Sequence, residues 1–326
     1  MGAGHLMRCL ALADELRDKN HQITFICRNL TGNLISLIKH SVLVLPKNNN
    51  FQANDFYLNW LGATQKLDSQ QTIKVIHKNV DLLIVDSYAL GKDWHRMLRQ
   101  HTKKIMVLDD LANRQFDCDI LLNQNLGSQE EDYQSKVPDN CKLLLGCNYA
   151  LLRPEFMALR NRAVEKRKNT REIKSILVSL GGDPENLTYE ILQYLDGFSV
   201  TVVLGPTSPH TKIILNYAKS KDITVIVNAA NMAELMLKTD LAIGAGGSTS
   251  WERCCLGLPT LLYITADNQR KIAENLEYLG AVTIVKNLKD DLQKTVNNFN
   301  FWQDMSSKAK SVCTGNGVIN TIKLIT

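Results

Sequence analysis

Features that would point to several protein classes are missing from this sequence. Its 326 residues include 8 cysteines but no C-x-x-C pair, so neither a disulfide framework nor a zinc site is indicated. No block of like charge is long enough for a nucleic-acid arm, and the net charge is only +5. No apolar run reaches membrane-spanning length, and the N-terminus has no signal-peptide core. We therefore expect a cytoplasmic protein with reduced thiols and with no nucleic-acid or membrane partner.

What the sequence does contain is a regular alternation of short apolar runs with helical patterns. Apolar runs separated by helices predict parallel sheets covered on both faces. We predict an α/β fold with two doubly wound, Rossmann-like domains that face a cleft. Helices are predicted at 6–19 and 92–101, and a mixture of helix and loop at 48–75. The predicted strands are 22–28, 42–46, 81–86, 104–110, 120–125, 142–146, 175–182, 199–205, 223–227, 240–247, 260–264 and 281–285.

A change in composition marks the predicted domain boundary. Residues 153–174 are rich in Lys and Arg and have few β-branched side chains, which is typical of a solvated helix and linker. We expect an N-terminal domain at 1–155, a linker helix at 156–172 and a C-terminal domain at 173–326.

The segment 240–264, DLAIGAGGSTSWERCCLGLPTLLYI, carries the strongest local motif. Glycines follow the predicted strand, and hydroxyl residues then provide possible helix caps. Free N–H groups and hydroxyls at such a turn suit a diphosphate, and Glu252 on the first helical turn suits ribose hydroxyls. The motif matches neither G-x-x-x-x-G-K-[ST] nor G-x-G-x-x-G, so a turn without a ligand is the alternative. The residues concerned are Gly244, Gly246, Gly247, Ser248, Thr249 and Ser250.

Other polar residues follow predicted strands and would face the same cleft. Gly182 and Asn186 belong to a second glycine loop, with Asn186 at a cap position. In the first half, Tyr88 in DSYAL and Asp110 in LDDLA are candidates to touch a substrate, and Arg153 lies beside the domain boundary. Ordinary turn and cap roles are the alternative for all these positions.

The N-terminal stretch MGAGHLMRCLALADEL begins with a glycine loop that opens a helix. His5 lies at the tip of this predicted loop, where the positive end of the helix dipole disfavours imidazolium. A neutral imidazole there would be available as a base. A helix cap or a solvent contact is the alternative for a lone histidine at this position.

Five motifs occur in the order found in one protein family: GAGHLMRCLALADEL, LDDLANRQFDCDILLNQN, YALLRPEF, LVSLGGDPENLT and GAGGSTSWERCCLGLPTLLY. The chain resembles the PseG family of UDP-2,4-diacetamido-2,4,6-trideoxy-β-L-altropyranose hydrolases, which is related to MurG-type glycosyltransferases of the GT-B fold. The resemblance implies hydrolysis at the anomeric C1 with inversion, UDP as leaving group, and neither a metal nor a cofactor.

The resemblance also implies roles for individual residues. His5 would be the catalytic base, and Tyr88 would bind or orient the water or the sugar. Glu252 would meet the ribose and Met232 would lie near the uracil. The remaining implied or candidate substrate-binding residues are Gly4, Asp110, Arg153, Gly182, Asn186, Gly246, Gly247, Ser248, Thr249 and Asn268.

One departure from the family concerns the N-terminus. Family members carry a strand and a loop before the GxGH motif, and neither has a counterpart here. We expect the N-terminal sheet to lack its first strand and the natural start to lie upstream of Met1. A small-molecule substrate and a monomer are expected, while a GT-B glycosyltransferase and a nucleotide-sugar-binding protein without catalysis are the alternative functions.

Overall fold

The computed structural model describes residues 3–76, 79–206 and 208–325. The chain forms two compact units: the first runs to Leu151 and includes the segment from Gly317 onward, and the second runs from Leu152 to Asn316. This division corrects the expected C-terminal domain 173–326, because its last helix belongs to the first unit. Composition along the chain does not reveal such a long-range return.

The first unit combines short parallel strands with helices. Its helices are α1 (Ala3–Asp18), α2 (Phe56–Leu61), α3 (Gln65–Val75), α4 (Lys92–Leu98) and the C-terminal helix Gly317–Ile325. Its strands are β1 (Thr24–Arg28), β2 (Ser41–Leu45), β3 (Val80–Val85), β4 (Thr102–Leu108), β5 (Ile120–Asn123) and β6 (Lys142–Leu145).

These strands form two separate parallel sheets in the described part of the chain. One sheet pairs β1 with β2, and the other has the order β3-β4-β5-β6. Among the described residues no ladder joins β1 to β3.

Helices cover both faces of the four-stranded sheet. On one face, Leu12 of α1 and Ile322 of the C-terminal helix pack with Met106 of β4. On the other face, Trp94 of α4 packs with Ile105 of the same strand. Alternate residues of β4 are thus buried on opposite sides, as a doubly wound sheet requires.

The second unit contains one parallel sheet and its covering helices. Its strands are β7 (Ser175–Gly181), β8 (Ser199–Leu204), β9 (Ile223–Val227), β10 (Leu241–Ala245), β11 (Thr260–Tyr263) and β12 (Thr283–Ile284). Its helices are α5 (Pro154–Asn169), α6 (Leu187–Leu192), α7 (Thr211–Ala218), α8 (Met232–Lys238), α9 (Thr249–Cys255), α10 (Arg270–Tyr278), α11 (Leu288–Asn297) and α12 (Phe299–Val312).

The strand order of this sheet positions the glycine loops. Read from one edge, the described strands run β9-β8-β7-β10-β11-β12. The chain builds outward from β7 and then returns to its other side with β10, so the topological switch point lies between these two strands. Ligands of doubly wound sheets bind beyond the carboxyl ends of the strands at this point.

The basic helix α5 is part of the second unit and not the solvated linker that its composition suggests. Arg160 donates hydrogen bonds to the backbone oxygens of Lys310 at 2.6 Å and Cys313 at 2.7 Å. Arg167 is buried and donates to the backbone oxygen of Met236 at 2.8 Å. The positive charges of α5 therefore satisfy backbone carbonyls of neighbouring elements.

Candidate active site

His5 lies in the first turn of α1, beside a carboxylate that follows β3. Its Nδ1 atom is 2.7 Å from Oδ1 of Asp86. Burial alone would raise the pKa of Asp86, but Arg8 and His5 outweigh it and hold that pKa well below the ordinary value. Because the carboxylate is ionised, Nδ1 must carry the proton and donate it. In the neutral ring this leaves the lone pair on Nε2.

The predicted loop around Gly4 is helical. α1 begins at Ala3, so Gly4 lies in its first turn, while Gly2 is outside the described residues. His5 is the third residue of the helix and still lies at the positive end of the helix dipole.

Arg8 completes the contact between α1 and the end of β3. It lies one helical turn after His5, and its Nε and Nη2 atoms donate to the two oxygens of Asp86 at 2.7 and 2.6 Å. Its Nη1 atom donates to Asp110 Oδ2 at 3.3 Å. Burial opposes the charge of Arg8, but the two carboxylates keep its pKa well above the ordinary value.

Tyr88 lies against His5, and Asp110 contacts both Tyr88 and Arg8. The rings of Tyr88 and His5 meet edge to face, with centroids 4.7 Å apart. The Tyr88 hydroxyl is hydrogen-bonded to Asp110; burial and that carboxylate raise the pKa of the phenol, which stays protonated at neutral pH. β3 and β4 are adjacent and parallel, so the residues that follow them share one edge of the sheet.

In the second unit, the glycine loop after β10 packs tightly against its own helix. A Cβ at Gly244 would overlap the guanidinium of Arg253 and lie 2.9 Å from the backbone oxygen of Ser179. Arg253 is buried and donates to the backbone oxygen of Ala245 at 2.7 Å. Only glycine therefore fits at position 244 without displacing its neighbours.

The loop differs from the predicted anion cradle in two respects. The N–H of Gly246 is not free, because it donates to the backbone oxygen of Tyr263 at 3.1 Å and to Gln269 Oε1 at 3.2 Å. Ser248 is the N-cap of α9, but its side chain makes no capping hydrogen bond. Within the part of the chain that the structure describes, the backbone N–H groups of Gly247, Ser248 and Thr249 meet no acceptor.

Glu252 and Arg153 face each other within the second unit. Arg153 Nη2 lies 3.8 Å from Glu252 Oε1, and Arg153 Nη1 donates to the backbone oxygen of Ala230 at 3.1 Å. The Glu252 side chain is 15% exposed. Burial raises its pKa to about 7, although Arg153 and Arg253 act in the opposite direction. A carboxyl so poorly solvated would gain from hydroxyl donors of a ligand.

The second glycine loop needs a correction at its predicted cap. Asn186 occupies the N-cap position of α6 in a left-handed conformation with φ 59°, but its side chain makes no capping bond. Asp183 provides the cap, because its oxygens accept the N–H groups of Leu187 at 2.8 Å and Thr188 at 3.0 Å. A Cβ at Gly182 would meet no heavy atom within 4 Å, so that position is open.

Two further predicted residues lie in short helical segments. Met232 is the first residue of α8 and is 8% exposed. Asn268 is exposed in the 3₁₀ turn Asp267–Gln269. Its neighbour Gln269 accepts hydrogen bonds from Thr265 as well as from Gly246, and thereby fixes this turn to the glycine loop.

Sequence reasoning missed Arg8, Asp86 and Gln269 as members of these clusters. Asp86 was visible as the residue directly after a strand, and Arg8 as the residue one turn after His5 on the same helix. Gln269 belongs to ADNQ, in which only Asn268 was considered.

The described residues contain no group of three or more His, Cys, Asp or Glu side chains that could hold a metal ion. None of their helices is both long and apolar enough to cross a membrane.

Comparison with solved structures defines the class of fold. MurG of Acinetobacter baumannii matches with a TM-score of 0.64 and 17% identity, over 99% of this chain and 96% of that one. UDP-GlcNAc 2-epimerase of Neisseria meningitidis, solved with UDP-GlcNAc, matches with a TM-score of 0.59 and 10% identity, over 93% and 99%. The protein is an α/β protein of the GT-B type, as the sequence predicted.

Comparison with known sequences makes the assignment more specific. No protein-family model matches the chain. The uncharacterized protein MJ1062 of Methanocaldococcus jannaschii is 30% identical over 296 residues, which are 87% of this chain and 57% of that protein. UDP-2,4-diacetamido-2,4,6-trideoxy-β-L-altropyranose hydrolase of Campylobacter jejuni is 27% identical over 252 residues, which are 76% of this chain and 81% of that enzyme. In sequence the chain is PseG-like, and its fold is of the GT-B type.

Proposed function

We propose that the protein hydrolyses UDP-2,4-diacetamido-2,4,6-trideoxy-β-L-altropyranose to UDP and the free sugar, with inversion at C1. The observation that carries this proposal is the 2.7 Å contact between His5 Nδ1 and Asp86, which orients the ring so that Nε2 is the nitrogen left to accept a proton. The name of the Campylobacter jejuni relative supports the choice of substrate.

The proposed step needs a base more than it needs an acid. A water oxygen attacks C1 and its proton passes to His5 Nε2, while the bond between C1 and the β-phosphate oxygen breaks and UDP leaves. Water is a poor nucleophile, whereas UDP departs readily once its charge is held. Positioned general bases typically contribute 10²–10⁴-fold.

Asp86 and Arg8 act on the base without touching the reacting atoms. Asp86 orients the His5 ring and stabilises the imidazolium that forms when the ring accepts a proton. Arg8 holds both oxygens of Asp86 at 2.7 and 2.6 Å, so the carboxylate stays ionised and cannot rotate freely. The protonated Tyr88 hydroxyl, which is hydrogen-bonded to Asp110, is a suitable group to orient the water or a sugar hydroxyl.

We assign the UDP portion to the second unit. The unoccupied N–H groups of Gly247, Ser248 and Thr249 and the two side-chain hydroxyls would hold the diphosphate. Glu252 would accept hydrogen bonds from the ribose, which would satisfy a carboxyl that is otherwise poorly solvated. Roles for Met232 near the uracil and for Asn268 near the sugar are part of the same proposal, as are minor contacts from Arg153, Gly182 and Asn186.

The proposal is tested by measuring UDP and free sugar released from the named substrate. We expect His5→Ala to lower kcat by about 10²–10⁴-fold. His21→Ala is the matched control, because His21 is exposed. In ¹⁸O-labelled water the label should enter the sugar and not UDP, because water attacks C1, and NMR of the first product anomer should show inversion.

Other outcomes would point to the alternatives. Label in UDP would mean attack at phosphorus and would reject His5 as the base for C1. Tight UDP binding with an intact sugar would overturn the hydrolase proposal; transfer to an added acceptor would then support a glycosyltransferase, and no turnover at all a binding protein.

A further inference from the structure

Three aromatic side chains of α2 form a continuous contact path to His5. Tyr57 and Trp60 lie 5.2 and 6.4 Å from Tyr88, measured between ring centroids, and Tyr88 lies 4.7 Å from His5. Phe56 extends the path outward, 4.8 Å from Trp60 and 5.7 Å from Tyr57. We call Phe56, Tyr57 and Trp60 the α2 aromatic cluster.

The α2 aromatic cluster is not part of the core. None of the residues of α2 is fully buried, and Phe56 is 61% exposed. The short helix is instead fixed at its ends: Asp55 accepts the N–H of Leu58 at 2.8 Å, and Gly62 closes the helix in a left-handed conformation with φ 68°. A helix that is capped at both ends and leaves contiguous aromatic rings partly exposed indicates a binding surface.

The chemistry of the segment indicates which part of a substrate would bind there. Residues 51–61, FQANDFYLNWL, contain no Lys or Arg, so they offer nothing to a diphosphate. Aromatic rings with a polar edge suit ligands that have apolar faces and polar rims. A trideoxy sugar with two acetamido groups has three methyl groups around a pyranose ring and fits that description.

We propose that the α2 aromatic cluster is the wall against which the sugar packs its C6 methyl and acetamido methyl groups, and that it selects the 6-deoxy sugar. This inference rests on the proposed function, because it places the sugar next to His5. The base must reach a water at C1, so the sugar ring must lie near Tyr88, whose ring is in contact with Tyr57.

Substitution at Trp60 tests the proposal by a change in selectivity. An apolar pocket rejects a ligand that carries an added hydroxyl by up to about 10²-fold. We expect Trp60→Leu to reduce the preference for the 6-deoxy substrate over its 6-hydroxy counterpart by about 10-fold, while Trp60→Phe retains most of it. Tyr278→Ala is the matched control, because Tyr278 is an aromatic residue that is 91% exposed. Thermal unfolding shows whether each variant is folded.

A binding experiment keeps this inference separate from the proposed function. The free 2,4-diacetamido-2,4,6-trideoxy sugar should change the tryptophan fluorescence of the wild type but not of Trp60→Phe, because Trp94, Trp251 and Trp302 are buried. Saturation-transfer NMR should show the strongest signals at the sugar methyl groups.

The outcomes are distinguishable. If the wild type releases no UDP but the sugar still alters Trp60 fluorescence, the hydrolase proposal fails, while sugar binding by the α2 aromatic cluster is supported. If activity depends on His5 while Trp60→Leu changes neither selectivity nor sugar binding, sugar binding by the α2 aromatic cluster is rejected. A loss of UDP affinity in Trp60→Leu with unchanged sugar binding would assign the cluster to the uracil and would also overturn the proposal that it binds the sugar.

Discussion

The raised pKa of Glu252 predicts that this residue destabilises the ligand-free protein above neutral pH. Burial raises its pKa from 4.5 to about 7, with Arg153 3.8 Å away as the nearest compensating charge. Each pKa unit corresponds to about 1.4 kcal/mol, so the ionised carboxylate costs the folded state about 3 kcal/mol. The side chain is only 15% exposed, so solvent screens little of this cost.

The direction in which stability changes with pH follows from the difference in proton binding between the folded and unfolded states. Between pH 4.5 and about 7 the folded protein holds a proton on Glu252 that the unfolded chain has released. The free energy of unfolding therefore falls as pH rises through this window and reaches its lower plateau above the folded pKa. Glu252→Gln stays neutral at every pH and lacks this contribution.

The measurement is urea unfolding of the wild type and Glu252→Gln from about pH 5 to about pH 8. We expect the variant to gain stability relative to the wild type as pH rises, by about 3 kcal/mol at the upper end. Subtracting the two curves removes the titration of all other groups. Parallel curves, or a variant that is less stable at high pH, would refute the reasoning.

The same titration predicts a pH-dependent affinity for the nucleoside. An ionised Glu252 accepts hydrogen bonds from ribose hydroxyls better than a protonated one, so uridine affinity should rise with pH through about 7. Uridine is the right probe because it carries no titrating phosphate. An affinity in Glu252→Gln as pH-dependent as that of the wild type would reject this role.

Two further substitutions test the geometry of the sites. Asp86→Asn should lower kcat by roughly 10⁴-fold, because the His5 tautomer is no longer fixed, as in the Asp–His pair of serine proteases. The affinity for UDP, measured by calorimetry, should not change. An unchanged kcat would remove Asp86 from the mechanism. Gly244→Ala should lower stability by about 1–3 kcal/mol in thermal unfolding, because its methyl group overlaps Arg253. Gly247→Ala is the matched control, since a Cβ there meets no atom within 4 Å, and equal stability losses would contradict the packing argument.

The strands were predictable because parallel strands that are buried on both faces must be continuously apolar. The run 240–247 became β10 and the run 104–110 became β4, each shifted by a few residues at its ends. The C-terminal helix was assigned to the wrong unit because its apolar stripe does not specify which sheet it covers. That choice depends on contacts such as Ile322 with Met106, which are far apart in sequence.

The α2 aromatic cluster could not be predicted from the sequence, for a different reason. Helical periodicity becomes a usable signal over 11 or more residues, whereas α2 spans only Phe56–Leu61. Its helix depends on the Asp55 cap and the left-handed Gly62, both of which are also common in plain turns. The segment 48–75 therefore gave only a mixture of helix and loop.

Whether a site residue could be predicted depends on how far apart in sequence it and its contact partners lie. His5 was predicted from the glycine and helix signals next to it together with the resemblance to the PseG family, whereas its partner Asp86 is 81 residues away. A carboxylate directly after a strand looks the same whether it caps a turn or accepts an imidazole, so local sequence cannot distinguish the two. The distinction comes from charge: a buried Asp86 needs a buried cation, and the one that reaches it is Arg8, one turn from His5. A histidine and an arginine three residues apart at a helix start, facing a carboxylate at the end of a parallel strand, therefore form a pattern that can be sought in other sequences once the order of the strands is known.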